Sequence, residues 1–309
     1  MLFYLARKTI SFVSSLFIIV SLTFFLMKLI PGDPFSQEQV LRHDMIASLH
    51  EHYGLHRPLF VQYVDYLSDI IQGHLGHSFK YPGRTVISFI QEGFPVSAQL
   101  GLQAFCAALF LGISLGILSA LKAHRWQDRS IFLITTAGLA IPSFILATLL
   151  QYSLAIYFPI FPLARWGCFA QTILPSISLA AAPTAFIAKL TRNRLLEVFQ
   201  EDYIKLARAK GLPCGYRLWH HALPNTLLPL LSYVGPLLAN ILVGSFVIEK
   251  IFSIPGLGQW FVHSVANRDY SLIMGLTLFY SVILLSIVFF VDLLYGYCDP
   301  RIRLGGAEK

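Results

Sequence analysis

Residues 191–229, TRNRLLEVFQEDYIKLARAKGLPCGYRLWHHALPNTLLP, decide how the rest of the chain is read. The stretch is basic and helix-forming, and a long hydrophobic run flanks it on each side. Leu195, Phe199, Tyr203 and Leu206 follow helical spacing and predict one apolar stripe. Arg194, Glu197, Glu201, Asp202, Lys205 and Arg208 fall on the other faces, with Glu201 and Lys205 in a favourable i,i+4 relation. Ala207 and Ala209 keep the profile low near the helix end. Gly211 suits the left-handed residue that closes a helix, Leu212 supplies the accompanying apolar contact, and Pro213 prevents continuation. A second short helix over 216–222 runs to a break at Leu223-Pro224, with Asn225 or Thr226 as cap of the next segment. A compact helix–turn–helix is the expected product. A plain linker has no need of the glycine, the second helix and the proline at these offsets.

Outward from this stretch the chain reads as a membrane protein. Its 309 residues are 56% hydrophobic and 13% charged, against about 25% charged in soluble domains. A helix needs about 18 or more apolar residues to cross a hydrocarbon core. Six runs meet that need: Thr9–Ile30, Val96–Leu121, Ile131–Phe158, Thr172–Ala188, Leu227–Ile248 and Ser271–Tyr295. The third holds Pro142, Pro159 and Pro162 and is expected to tilt or break near its end. Helices satisfy their own backbone in lipid, so the fold class is an all-α integral membrane protein of six transmembrane helices. The first run follows Arg7 and Lys8 but is too long for a signal peptide. It ends in Pro31-Gly32-Asp33-Pro34 rather than a small-residue cleavage site, and is read as a retained span.

Basic residues set the expected orientation. With the N-terminus inside, the inner segments carry fifteen of the 23 Lys and Arg, among them Lys122, Arg125, Arg129 and the seven from Lys189 to Arg217. Both termini and the 191–226 loop are therefore predicted to face the cytoplasm. The organisation that follows is an N-terminal helix (1–30), an extracytoplasmic loop or cap (31–95), a transmembrane domain with its inner loop at 191–226 (96–303), and a tail (304–309). Within the cap, Leu59, Tyr63, Tyr66, Leu67 and Ile70 predict an amphipathic helix, and Gly73, Gly76 and Pro82-Gly83 predict turns.

Several groups invite a chemical reading. His43, His50, His52, His56, His74 and His77 crowd the cap, but no HExxH occurs and Gly54 weakens any helix joining His52 to His56. Solvated or interface histidines are preferred to a metal site, and no cofactor is expected. Four scattered cysteines form no CxxC or disulfide framework. No GxxxxGK[ST] is present to cradle nucleotide phosphates. Glu249 at the edge of the fifth span either snorkels to the interface or serves as an outer gate or binding-protein contact. Asn240 and Ser245 either line a path or bond to a neighbouring helix, and Gly112 and Gly116 form a GxxxG that favours close packing.

Gly211 and the Leu-Pro at 223–224 resemble the loop by which binding-protein-dependent ABC importer permeases dock onto their ATPases. Aligned on Gly211, the opening Glu-Ala-Ala of that loop falls on Lys205, Leu206 and Ala207, so only the last alanine is kept. The variant EDYIKLARAKGL with HALPN is similar to the oligopeptide/dipeptide/nickel subfamily, specifically its first, B-type permease. The likeness continues in PGDP (31–34), YGLHRPLFVQY and GHLGHSF in the cap, VIEKIFSIPGLG (247–258), RDYSLIMG (268–275) and VDLLYGYCDPRIR (291–303). His74 stands where that family often has aspartate.

The resemblance implies a type I ABC importer permease fold in the bacterial cytoplasmic (inner) membrane, with no enzymatic activity of its own. It implies a second homologous permease, two cytoplasmic ATPases and an extracytoplasmic solute-binding protein as partners, with no nucleic acid. Oligopeptides or dipeptides are the expected cargo, moved by alternating access, with nickel or another small solute as the alternative. An intramembrane enzyme or a channel is the competing class, and neither a nucleophile–base constellation nor a filter loop supports it. Glu201, Asp202, Ala207, Arg208, Gly211, Leu212, Leu223 and Pro224 are the expected ATPase-coupling residues. Asn240, Ser245 and Glu249 are the expected gate or path residues.

Overall fold

Hydrophobic runs of this length form helices because each backbone N–H then finds its acceptor within its own segment. The computed structural model describes residues 2–29, 54, 56–242 and 244–298. The described residues are overwhelmingly helical, with an isolated bridge between His77 and Thr85. Helices α1 (Leu2–Leu29), α2 (Leu59–Ile71) and α3 (Val86–Leu121) come first. Then follow α4 (Trp126–Ala140), and α5 (Ser143–Gln151), which continues as a π-turn over Tyr152–Tyr157. Helices α6 (Phe169–Phe199), α7 (Asp202–Ala209) and α8 (Cys214–Tyr216) come next, and a π-turn over Arg217–Ala222 joins α8 to α9 (Leu223–Leu242). Helices α10 (Phe246–Ile251), α11 (Leu257–Ala266) and α12 (Tyr270–Cys298) complete the order.

Among the described residues five helices are long and apolar enough to cross a membrane. A sixth span arises if Trp126–Ala140 and Ser143–Tyr157, bent by 104°, are one. Six spans agree with the hydropathy, but three details differ. The third span bends in its middle, at Ile141-Pro142, rather than near its end. Ile141 precedes proline and takes an extended conformation (φ −84, ψ 119), as the clash with the proline ring demands. The second span starts at Val86, not Val96, and runs through Pro95. An interior proline costs roughly 3 kcal/mol, whereas burying Val86, Phe89 and Ile90 returns about 1.5–3 kcal/mol for each side chain. Burial wins. The fifth span is interrupted between Leu242 and Phe246, where Gly244 takes φ +90.

The chain divides into two compact units. One combines Leu2–Pro95 with Gly256–Leu285. Its core gathers Val86, Phe89 and Ile90 with Leu257, Leu272 and Leu276, and Trp260 packs edge-on against Phe89. Helix α2 forms as the amphipathic spacing predicts, and Tyr66 stacks on Phe24 of α1 while Tyr63 bonds the Ser21 hydroxyl. Burial raises the Tyr66 phenol above its ordinary pKa. Asp269 caps α12 by accepting from the Leu272 N–H, and also accepts from the Phe79 N–H and the Ser78 hydroxyl. His56, His74 and His77 lie in this unit, whereas His43, His50 and His52 lie outside the described residues. Among the described residues no group of three or more His, Cys, Asp or Glu is placed to hold a metal ion.

The other unit combines Val96–Pro255 with Ser286–Lys309. One core joins α3 (Ala104, Ala108), α6 (Ala180, Ile187) and α9 (Leu237, Ile241). A second joins Leu100 and Leu174 to Ile248, Phe252 and Ile254. The glycines of the GxxxG let α3 and α6 close together. A Cβ on Gly112 would lie 2.7 Å from Ile187, and one on Gly116 would lie 2.6 Å from Thr191 and 2.7 Å from the Ala188 carbonyl. Packing within the chain accounts for that motif.

Candidate functional site, the 191–226 loop

The loop is built as two helices joined by a glycine turn. Helix α6 does not continue through Leu206 as the four-residue stripe predicts. It ends at Phe199, the chain turns at Gln200-Glu201, and α7 begins at Asp202 with its phase reset. Different side chains therefore face inward. Ile204 is buried with Leu195, Ala120, Leu218 and Ala222, and Ala207 is buried as well, whereas Tyr203 and Leu206 are 41% and 57% exposed. The expected Glu201–Lys205 pair is replaced by Lys205 Nζ on Asp202 Oδ1 at 2.8 Å. The Lys205 ammonium holds the Asp202 carboxyl below its ordinary range. That preference is present above the unfolded pKa and lost as pH falls through the lowered one, and full solvent exposure makes it weak.

The turn closes as a Schellman motif. Gly211 takes φ +78, its N–H donates to the Arg208 carbonyl, and the Leu212 N–H donates to the Ala207 carbonyl. Open space surrounds the position where a Cβ on Gly211 would sit. Glycine is present for its backbone alone. Glu201, Asp202, Arg208, Gly211 and Pro224 are exposed and Leu212 is half-buried. Ala207 and Leu223 are buried, so both support the turn from within instead of presenting a surface.

Leu223-Pro224 is not a break, and neither Asn225 nor Thr226 caps a new helix. The chain passes from α8 through a π-turn into α9, with the Leu223 N–H bonded to the Leu218 carbonyl five residues back. Proline lacks an N–H and crowds the carbonyl four residues earlier, and the widened turn before it relieves that crowding. Thr226 instead bonds the Ala222 carbonyl, and Asn225 Nδ2 donates to the Tyr203 hydroxyl at 2.8 Å, tying α9 to α7. Tyr216 stacks on His220 with centroids 4.2 Å apart, and Tyr216 and Trp219 are 45% and 62% exposed. Four large exposed side chains thus accompany the exposed charges of one short loop. Exposed aromatics in such density mark an interaction surface.

The remaining candidates separate. Asn240 is exposed on α9, and Ser245 is half-buried at the interruption before α10. Glu249 is wholly buried, and its Oε1 accepts the Ser97 hydroxyl at 2.7 Å. A Cβ on Gly244 would lie 2.6 Å from that same oxygen. Glu249 therefore neither snorkels nor offers a surface, and it braces the interruption from behind. Glu249→Ala should lower stability by about 1–3 kcal/mol by stranding its partners, whereas Asn240→Ala should be neutral. Thermal melting in detergent measures both.

One group escaped the reading of the sequence. Asp128 at the start of α4 is buried and meets Arg192 of α6 through two bonds, Nε at 2.7 Å and Nη2 at 2.8 Å. Its signal was available, since Asp128 is the sole acid between Glu92 and Glu197, set amid Lys122, Arg125 and Arg129.

With this geometry in view, the chain's relatives can be placed. Residues 112–304 match the family described as binding-protein-dependent transport system inner membrane component, and residues 1–101 match the corresponding N-terminal family. The chain is 44% identical over 301 residues to the dipeptide transport system permease protein DppB of Bacillus subtilis, covering 97% of this chain and 98% of that one. It is 40% identical over 305 residues to the oligopeptide transport system permease protein OppB of Salmonella typhimurium, covering 98% and 100%. Its fold is similar to a chain of the inward-facing MetNI methionine ABC transporter, with TM-score 0.55 over 69% of this chain and 97% of that chain at 17% identity. That last likeness is of fold alone. The full-length matches leave one assignment: the chain belongs to the binding-protein-dependent transport system inner membrane components, as a multi-pass permease subunit of an ABC importer and not an enzyme.

Proposed function

We propose that this permease carries dipeptides or oligopeptides across the inner membrane by alternating access. Identity of 40–44% to dipeptide and oligopeptide permeases along nearly the whole chain carries this reading. Both termini and the 191–226 loop face the cytoplasm, as the Lys and Arg distribution favours. There Glu201, Asp202, Arg208, Gly211, Leu212 and Pro224, with exposed Tyr203, Leu206 and Trp219, dock onto one of two ATPase subunits, and Ala207 and Leu223 hold the turn from beneath. A second homologous permease completes the pathway, and a solute-binding protein delivers cargo from the other side. Asn240 and Ser245 border the path, where the interrupted fifth span exposes polar atoms. The divisions 1–30, 31–95, 96–303 and 304–309 serve this scheme as anchor, cap, translocating domain and tail, with residues 86–95 of the cap forming the start of the second span.

Uptake by cells lacking this chain is the test. Labelled dipeptide and oligopeptide uptake should disappear and return with the wild-type gene, while nickel uptake should be unchanged. Loss of nickel uptake with peptide uptake intact would replace the peptide assignment by a metal one.

A further inference from the structure

We propose that Asp128 and Arg192 are positioning residues that make α4 move with α6, so that force received by the loop reaches a third span besides the two it joins; this rests on the coupling role proposed above. The carboxylate is saturated. Its Oδ1 accepts from Ser119 Oγ and Arg192 Nε, and its Oδ2 accepts from Arg192 Nη2 and from the His124 N–H at 2.9 Å. Four donors fill the acceptor capacity of one carboxylate. They come from three elements: the end of α3, the 122–125 turn, and α6. His124 holds φ +65, a conformation that costs a non-glycine residue energy and needs the surroundings to impose it. The side chain of Asp128 is 7% exposed and that of Arg192 24%. A surface ion pair would not be enclosed in this way.

Position gives the cluster its meaning. Ser119 precedes Ala120, and Arg192 lies one turn before Leu195; Ala120 and Leu195 are buried in one cluster with Ile204 of α7 and with Leu218 and Ala222. The cluster and the loop's core are therefore adjoining layers. Towards the bend, Lys189 of α6 donates to Thr136 Oγ1 at 3.0 Å and lies 5.0 Å from the Phe132 ring, both on α4. A Cβ on Gly138 would lie 3.4 Å from Ala185. Helix α4 is thus fastened to α6 along its length up to the 104° bend at Ile141-Pro142, and beyond the bend Ala147 of α5 shares a buried cluster with Leu174 of α6.

The experiment measures ATP hydrolysis and peptide uptake side by side on the whole importer in liposomes, with its binding protein. Arg192→Lys keeps the charge but loses the two-pronged donor, and Asp128→Asn keeps the shape but loses the charge. Both should cut uptake per ATP hydrolysed roughly tenfold, the size of an ordinary coupling energy between sites. The double variant should be no worse than the poorer single, because each removes the same interaction. Ser119→Ala should lower the ratio less, and it decides the matter if the other two fail to reach the membrane. Uptake and hydrolysis declining in step, or both staying at wild-type levels, overturns the proposal. Gly211→Val in parallel separates the two assignments. Normal transport by that variant sinks the docking role itself, whereas its failure beside normal coupling in Arg192→Lys and Asp128→Asn sinks only the pair.

Discussion

Replacing Gly211 with valine is expected to abolish uptake, by more than about tenfold, while leaving the protein folded in the membrane. The expectation comes from two observations that point the same way. Gly211 holds φ +78, a region in which a β-branched residue is an outlier. Its missing side chain would meet nothing, so no packed core is disturbed. The strain falls wholly on the turn, which must open and forfeit the bonds to Arg208 and Ala207. Docking then loses its shape while the spans keep theirs. Gly211→Asn provides the control, since asparagine tolerates the left-handed region and should retain most of the uptake. Equal failure of both variants would mean that bulk, not conformation, is what the partner rejects.

Gly116→Leu is expected to do the reverse: the protein itself should be lost. A Cβ there already stands 2.6 Å from Thr191 and 2.7 Å from a backbone carbonyl, and the carbonyl cannot step aside. Overpacking costs about 1–3 kcal/mol where neighbours can shift, and a backbone obstacle puts this site at the upper end. Helices α3 and α6 would be forced apart along the seam that carries Gly112 as well. Membrane abundance and melting temperature in detergent should both fall, with any remaining protein still able to dock an ATPase. Unchanged melting would show that the two helices are free to separate.

Hydropathy made the six spans legible because a membrane demands length and apolarity above all else. Turn chemistry made Gly211 legible for a similar reason, since only a left-handed residue closes that helix. Phase was not legible. The stripe drawn through Leu195, Phe199, Tyr203 and Leu206 assumes one continuous helix, and a two-residue turn at Gln200-Glu201 swings Tyr203 and Leu206 outward. Pro224 looked like a stop because a proline usually is one, yet a single π-turn absorbs it. The burial of Glu249 and the role of Asp128 were hidden for another reason. Each side chain is partnered by a residue distant in sequence, Ser97 or Arg192, and no local pattern reveals which charge will find an acceptor or donor across a helix boundary.

Helix α6 has 31 residues, or about 46 Å at 1.5 Å per residue, against a hydrocarbon thickness of about 30 Å. A helix of that length must tilt or project beyond the hydrocarbon, and projection at its C-terminal end, the orientation proposed above, would hold the glycine corner off the headgroups in open water. A water-soluble ATPase seated there, as proposed, could then be made, stored and exchanged apart from the bilayer it drives.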